Sequence, residues 1–173
     1  MGLLSGRKGL IVGIANERSL AFAIARQAHA AGAELTLTYQ NDRLRPRVEA
    51  AALELGNALI LPCDVNEDGQ LAALAARLED EGGLDFALHA VASAKREELG
   101  GRFVDTSRDG FHMALETSAY SLVALAHHLE PLLRRSEHAP SLLTLSYFGA
   151  QKVVPNYNIM GVAKAALEAS VRY

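Results

Sequence analysis

A strand pattern followed by a helix pattern, repeated along the whole chain, constrains this sequence more than any other feature. Residues 9–13 (GLIVG) are a short apolar run ending in glycine, which reads as a buried strand. Residues 19–31 follow, with Leu20, Ala23, Ile24 and Ala28 near helical spacing and Gly32 as the stop. Strand 34–39 (ELTLTY) comes next, then helix 44–55 stopped by Gly56, then strand 58–62. Helix 67–78 carries Leu71, Leu74 and Leu78 along one stripe. Strand 84–91, a long helix 111–133, strand 141–145 and a last helix from 156 onward complete the pattern. Such alternation predicts an α/β fold built on a doubly wound parallel sheet, with helices on both faces. Sheets of this kind take their ligands at the carboxyl ends of the strands.

Composition narrows the rest. The 173 residues suffice for a single domain, expected over 1–173, and 50% are hydrophobic against 21% charged. That balance excludes disorder, collagen and coiled coil as whole-chain descriptions. Lys plus Arg number 17 and Asp plus Glu 20, a formal charge of −3, which provides no strong electrostatic reason to hold nucleic acid or an anionic membrane. Cys63 is the single cysteine, so no internal disulfide forms, in keeping with a reducing compartment. Arg7 and Lys8 follow a short apolar run, the reverse of a signal peptide. No stretch approaches the ~18 uncharged apolar residues of a membrane span. The expectation is a soluble cytoplasmic protein.

The strand ends carry the candidate chemistry. The first leads into Gly13-Ile14-Ala15-Asn16-Glu17-Arg18-Ser19 and then a helix. Glycine permits close backbone approach, and a helix start offers free N–H groups to phosphate. Two uses fit: a pyrophosphate site, or a tight turn with Ser19 as N-cap. The second strand ends at Tyr39-Gln40-Asn41-Asp42, where neutral Gln40 suits a ribose hydroxyl or an adenine edge, with Arg43 and Arg45 close by. The third ends at Cys63-Asp64-Val65. Asp64 with Val65 suits an adenine ring, or Asp64 caps the next helix; Cys63 reads as a buried small hydrophobe. The fourth ends at His89-Ala90-Val91-Ala92-Ser93-Ala94, whose small residues would admit a flat ligand; His89 reads as packed and hydrogen-bonded. No metal-ligand spacing is present: His127 and His128 fall on different helix faces.

Tyr147, Tyr157 and Lys164 form the sharpest constellation. Tyr157 and Lys164 lie seven residues apart, so on a helix they share a face about 10 Å apart along the axis. Gly161 between them is expected to leave room for something flat. A phenol with a reference pKa of about 10 is a proton donor, and a nearby ammonium would favour its ionised form and hold sugar hydroxyls. The pair suits a reaction in which a carbonyl oxygen gains negative charge. An ordinary surface tyrosine and lysine remain the other possibility.

In this order the pieces resemble the enoyl-acyl-carrier-protein reductases of bacterial fatty-acid synthesis, a divergent branch of the short-chain dehydrogenase/reductase superfamily. The resemblance runs from Met1-Gly2-Leu3-Leu4-Ser5-Gly6 to Tyr173. Its most specific parts are Gly13-Ile14-Ala15 with Ser19-Leu20-Ala21, then Thr38-Tyr39-Gln40-Asn41-Asp42, Cys63-Asp64-Val65, and the block 143–173. The Tyr-x6-Lys spacing of Tyr157 and Lys164 separates this branch from the ordinary Tyr-x3-Lys enzymes; residue 161 is glycine, so the ordinary motif is absent. The resemblance implies a Rossmann-like fold and hydride transfer from NADH to a trans-2-enoyl thioester on acyl-carrier protein. It implies that Gly13, Ile14, Ser19 and Leu20 hold the pyrophosphate and adjacent ribose, and that Gln40, Asp64 and Val65 face the adenosine. It places Val91 and Ala92 by the nicotinamide, Ala94 by the acyl chain, and Lys164 on the nicotinamide ribose. Tyr157 would stabilise the thioester oxygen and Tyr147 position the substrate. Gln40 without an adjacent cation looks like the NADH-using members.

Departures accompany the match. The family commonly shows His-Ser-Ile-Gly-Phe-Ala where this chain has residues 89–94 as HAVASA, and Ala23 stands where a helix glycine is usual. Family members run on for roughly another third, with two more strands and a flexible substrate loop. The chain is therefore expected to be a fragment or truncated product whose five strands lie in the order 3-2-1-4-5, with the fifth as an edge. The family's homotetramer implies packing through helices 111–133 and 156–173, where Ala163, Ala165, Ala166 and Ala169 permit close approach. A non-catalytic dinucleotide-binding or subunit-interaction module is the alternative. A carbonyl dehydrogenase of the same superfamily is disfavoured by the Tyr-x6-Lys spacing.

Overall fold

A computed structural model describes residues 2–173. Five strands, β1 (Lys8–Val12), β2 (Glu34–Tyr39), β3 (Leu59–Pro62), β4 (Phe86–His89) and β5 (Ser141–Thr144), form one sheet in the order β3-β2-β1-β4-β5. All four pairings are parallel, with Leu10 lying between Thr36 on β2 and Ala87 on β4. The strand order turns back between β1 and β4, the kind of switch point beside which open α/β sheets bind ligands. This is the expected fold class and order. Strand β4 is shorter than the 84–91 expected. Gly13, at φ +108°, takes the chain out of β1, so residues beyond Ala90, whose N–H reaches Val12, lose their neighbour on that side.

Helices α1 (Leu20–Ala30), α2 (Arg45–Glu54) and α3 (Asp68–Asp80) follow the first three strands. Ser19 caps α1 as its hydroxyl accepts the Phe22 N–H at 3.3 Å. Gly32 at φ +98° and Gly56 at φ +72° stop α1 and α2 in conformations that favour glycine. The stripe Leu71, Leu74 and Leu78 on α3 is at most 2% exposed, as its spacing requires.

The helix expected over 111–133 differs in two ways. Its first segment, α4 (Arg108–Leu115), starts earlier because the Ser107 hydroxyl accepts the Gly110 N–H at 3.0 Å and caps it. A π turn over Glu116–Tyr120 then separates α4 from α5 (Ser121–Leu133). The hydroxyl of Ser121, the first residue of α5, donates back to the Thr117 carbonyl of that turn at 2.7 Å. Hydrophobic periodicity carries no marker for one widened turn. The last helix, α6 (Asn158–Arg172), begins two residues later than expected.

The contacts divide the chain into two compact units, Met1–Ala90 with Ala126–Thr144, and Val91–Leu125 with Leu145–Tyr173. The first holds the whole sheet and α1 to α3, with Leu10, Ile11, Leu37, Val48 and Leu71 at 0% exposure. The second is helical, with α6 packed on α4 and on the π turn around Leu125, Ile159, Ala163 and Leu167. Among the described residues no helix is long and apolar enough to cross a membrane. Leu37→Ala, which empties a fully buried site in β2, should lower the unfolding free energy by about 2–5 kcal/mol, whereas Leu53→Ala on the exposed side of α2 should change it by no more than about 0.5 kcal/mol. Urea midpoints check both.

Candidate active site

In the first unit the chain leaving β1 makes a compact turn over residues 13–19. The Asn16 side-chain oxygen accepts the Arg18 N–H at 2.8 Å, and the Asn16 carbonyl accepts the Ser19 hydroxyl at 2.7 Å. Asn16 is thus the organiser of this turn, a role that sequence reasoning misses; an Asn two or three residues before a capping Ser is its signal. Ile14 is 2% exposed, so its backbone is what it can offer a ligand, while Leu20 is 70% exposed. Ser19 serves as the N-cap, and capping leaves other N–H groups of the first turn of α1 free of intrahelical partners.

The next two strand ends meet each other. Exposed Gln40, after β2, donates its amide to Asp64, after β3, at 2.9 Å. Asp64 also accepts the Asn66 N–H at 3.0 Å, and its own N–H donates to the Gln70 side chain at 2.8 Å. Asp64 therefore organises the turn that leads into α3 but does not cap that helix as expected, because the chain makes a further turn and the N-cap is Glu67. Val65 is 6% exposed and, like Ile14, presents mainly backbone. Of the two nearby cations, Arg45 pairs with Glu49 at 2.8 Å and lies 5.7 Å from the centre of the Tyr39 ring. Cys63 is buried, and burial pushes its thiol up to about 12, Asp64 adding to the effect. His89 is fully buried with Nδ1 2.9 Å from the Thr144 hydroxyl on the adjacent strand, packed and hydrogen-bonded as expected. Among the described residues no group of His, Cys, Asp and Glu is placed to hold a metal ion.

The second unit gathers Tyr147, Tyr157 and Lys164. Lys164 projects from α6, is 7% exposed, and donates to the Leu145 carbonyl at 2.8 Å. Burial lowers its pKa. One turn on, Glu168 accepts the Ser146 hydroxyl at 2.5 Å, so α6 grips residues 145 and 146 with side chains at i and i+4. The Tyr147 ring, half exposed, meets the Tyr157 ring edge-on with centroids 4.9 Å apart and planes at 64°. Tyr157 also lies over Gly149, where a Cβ would stand 2.4 Å from its ring.

Three expectations change here. Tyr157 is the N-cap of α6 at φ −117° rather than a residue within the helix, so the ideal seven-residue spacing begins one position too early. Gly161 leaves no open space. A Cβ there would stand 2.8 Å from the Gly149 carbonyl, and the glycine exists to let α6 meet that backbone. The Tyr157 phenol is not pulled toward ionisation by an ammonium: burial raises its pKa, and neighbouring Tyr147 raises it further.

Val91 is half-buried, Ala92 exposed and Ala94 half-buried, at the start of a loop that is held in place downstream. The Asn158 amide reaches the carbonyls of Glu98 at 3.3 Å, Gly100 at 2.9 Å and Gly101 at 3.4 Å. The Ser107 hydroxyl donates to Glu98 at 2.6 Å. Asn158 has φ +34° and Asn156 φ +61°, a region where asparagine is enriched. The pair of asparagines around Tyr157 after Pro155 is the sequence signal for this arrangement.

A family profile described as Enoyl-(Acyl carrier protein) reductase matches residues 13–173. The chain belongs to this family. The NADH-specified enoyl-[acyl-carrier-protein] reductase FabI of Aquifex aeolicus is 48% identical over all of this chain, which spans 64% of that protein. The chain thus covers less than two thirds of that relative's length. A solved reductase from Anaplasma phagocytophilum in complex with NAD superposes with a TM-score of 0.95 at 47% identity, over 99% of this chain and 65% of that one. A Bacillus cereus reductase with NADP+ and indole naphthyridinone also has a TM-score of 0.95, at 45% identity, over 100% of this chain and 67% of that one.

Two outcomes follow. Gly161→Ala should improve helix propensity by about 1 kcal/mol but displace the Gly149 carbonyl, for a net loss of about 1–2 kcal/mol seen as a lower melting temperature. The Cys63 thiol should resist Ellman's reagent near pH ~8 in the folded protein and react fully on unfolding. Because its folded pKa lies above the unfolded one, the stability that the neutral thiol contributes is complete below the unfolded value and lost as pH climbs toward about 12.

Proposed function

We propose that this protein reduces the carbon–carbon double bond of trans-2-enoyl thioesters on acyl-carrier protein with hydride from NADH, in fatty-acid biosynthesis. The observation that carries this reading is the edge-on Tyr147–Tyr157 pair, with a buried Lys164 at Tyr-x6-Lys spacing donating to the Leu145 carbonyl two residues before Tyr147, in a chain of this family. NADH supplies the hydride when bound; orientation and the proton donor come from the protein.

The donor set fits such a cofactor. Gly13 and Ile14 in the turn over residues 13–19, and Leu20 at the start of α1 beyond the Ser19 cap, would present backbone N–H groups to a pyrophosphate, with Ser19 held by Asn16 at its edge. Gln40 and Asp64 supply an amide and a carboxylate for an adenosine, with Val65 beside them. Gln40 carries no charge, and Arg45 is engaged by Glu49 and Tyr39, which favours NADH over NADPH. An ammonium has three N–H donors. Lys164 directs one to Leu145, which aims the remaining two, and these suit the nicotinamide ribose hydroxyls. Val91 and Ala92 would lie by the nicotinamide and Ala94 by the acyl chain.

Tyr157 is the donor to the thioester oxygen as negative charge develops there. Its raised pKa keeps the phenol protonated throughout the neutral range. Tyr147, edge-on to it, limits how the Tyr157 ring can turn and positions the substrate. This reading treats residues 1–173 as one dinucleotide-binding domain of a cytoplasmic homotetramer that binds neither nucleic acid nor membrane.

The test is NADH consumption with a crotonyl thioester. Tyr157→Phe should lower kcat by about 10²–10³-fold with NADH affinity retained. The wild-type rate should stay flat through neutral pH and fall only above the ordinary tyrosine range. NADH binding without turnover, or full activity in Tyr157→Phe, would sink the reductase reading.

A further inference from the structure

The π turn over Glu116–Tyr120 is the one wide turn in the helical run from Arg108 to Leu133. One added residue changes the phase between the helices on either side by about 100°. Within the turn, Ser118 is fully buried. Its hydroxyl accepts the Ser93 N–H at 2.9 Å and donates to the Ser93 carbonyl at 3.1 Å. A single hydroxyl therefore satisfies both backbone groups of one loop residue. This fixes the height and the tilt of the chain at Ser93, between Ala92 and Ala94.

The Ser93 side chain is exposed, so what Ser118 holds is backbone. Five residues on, the same loop is held again by Asn158 and by the Ser107–Glu98 bond. The stretch 93–101 is thus pinned near both ends by side chains from the π turn, from the N-cap of α4 and from the first residue of α6. Buried polar groups are costly when unpaired, so an apolar residue at 118 would leave Ser93 to find other partners.

We propose that Ser118 is a positioning residue of the reductase reaction. By gripping the Ser93 peptide it sets the backbone of Ala92 to Ala94, and so the seat of the enoyl thioester. This rests on the reductase reading. Ser118 touches no reacting atom and acts only through the loop.

The experiment compares the full chain with Ser118→Ala and with Ser118→Cys, which is somewhat bulkier than serine and has a weak donor. Amide exchange at Ser93 and steady-state kinetics with a crotonyl thioester are read on all three. Both variants should speed Ser93 exchange roughly tenfold and raise KM for the thioester roughly tenfold, with kcat and its pH profile little changed. Should Ser118→Ala not fold, Ser118→Cys carries the comparison. Unchanged Ser93 exchange, or an unchanged KM with kcat reduced, overturns the proposal. Wild-type protein that turns nothing over overturns the reductase reading instead, and Ser93 exchange then decides the positioning by itself.

Discussion

An ammonium removed from water is expensive unless its protons find acceptors. Lys164 meets that condition by donating to the Leu145 carbonyl, at the point where the chain leaves β5. The bond has two consequences. It keeps a cation inside the second unit, and it ties α6 to the segment that carries Tyr147. Glu168 repeats the grip one helical turn later through Ser146. Residues 147 to 149 then leave a fixed origin, and Gly149 meets both Gly161 and the ring of Tyr157 closely. The close approach works because both positions are glycine.

The same economy governs the loop after β4. Its first residues, 91–94, are small. Hydrogen bonds hold it at several points. Ser118, Ser107 and Asn158 each place a side chain on it, and each sits at an irregular feature: a π turn, a helix cap and a left-handed residue. Irregular backbone costs free energy and persists where surrounding contacts over-determine it. Here those contacts converge on the segments that flank the tyrosine pair.

Much of this architecture is legible in the residues themselves. The strands themselves, the Ser19 cap, the glycine stops at 32 and 56, and buried Cys63 and His89 follow from local pattern, while the strand order comes with the family resemblance. The presence of Tyr157 and Lys164 together is legible as a spacing. Its electrostatics are not. Spacing alone puts the ammonium to work on the phenol, whereas the fold directs Lys164 to a carbonyl and leaves the phenol governed by burial and by Tyr147. Gly161 misleads for the same reason: a glycine in a pattern marks a close approach without saying what approaches. Ser118 and Asn158 escape sequence reasoning because neither stands out by type, and their partners lie 25 and some 60 positions away.

By itself, then, the sequence determined the alternation of strand and helix, the parallel sheet and the identity of the chemistry-bearing side chains. Those depend on periodicity and on local backbone preference, which act over a few residues. Tertiary structure alone decided where the π turn falls, which carbonyl receives the Lys164 proton, and that the Gln40 amide meets the Asp64 carboxylate. Each of these joins groups distant in sequence. Their energies depend on distance and burial, and neither exists until the chain has packed.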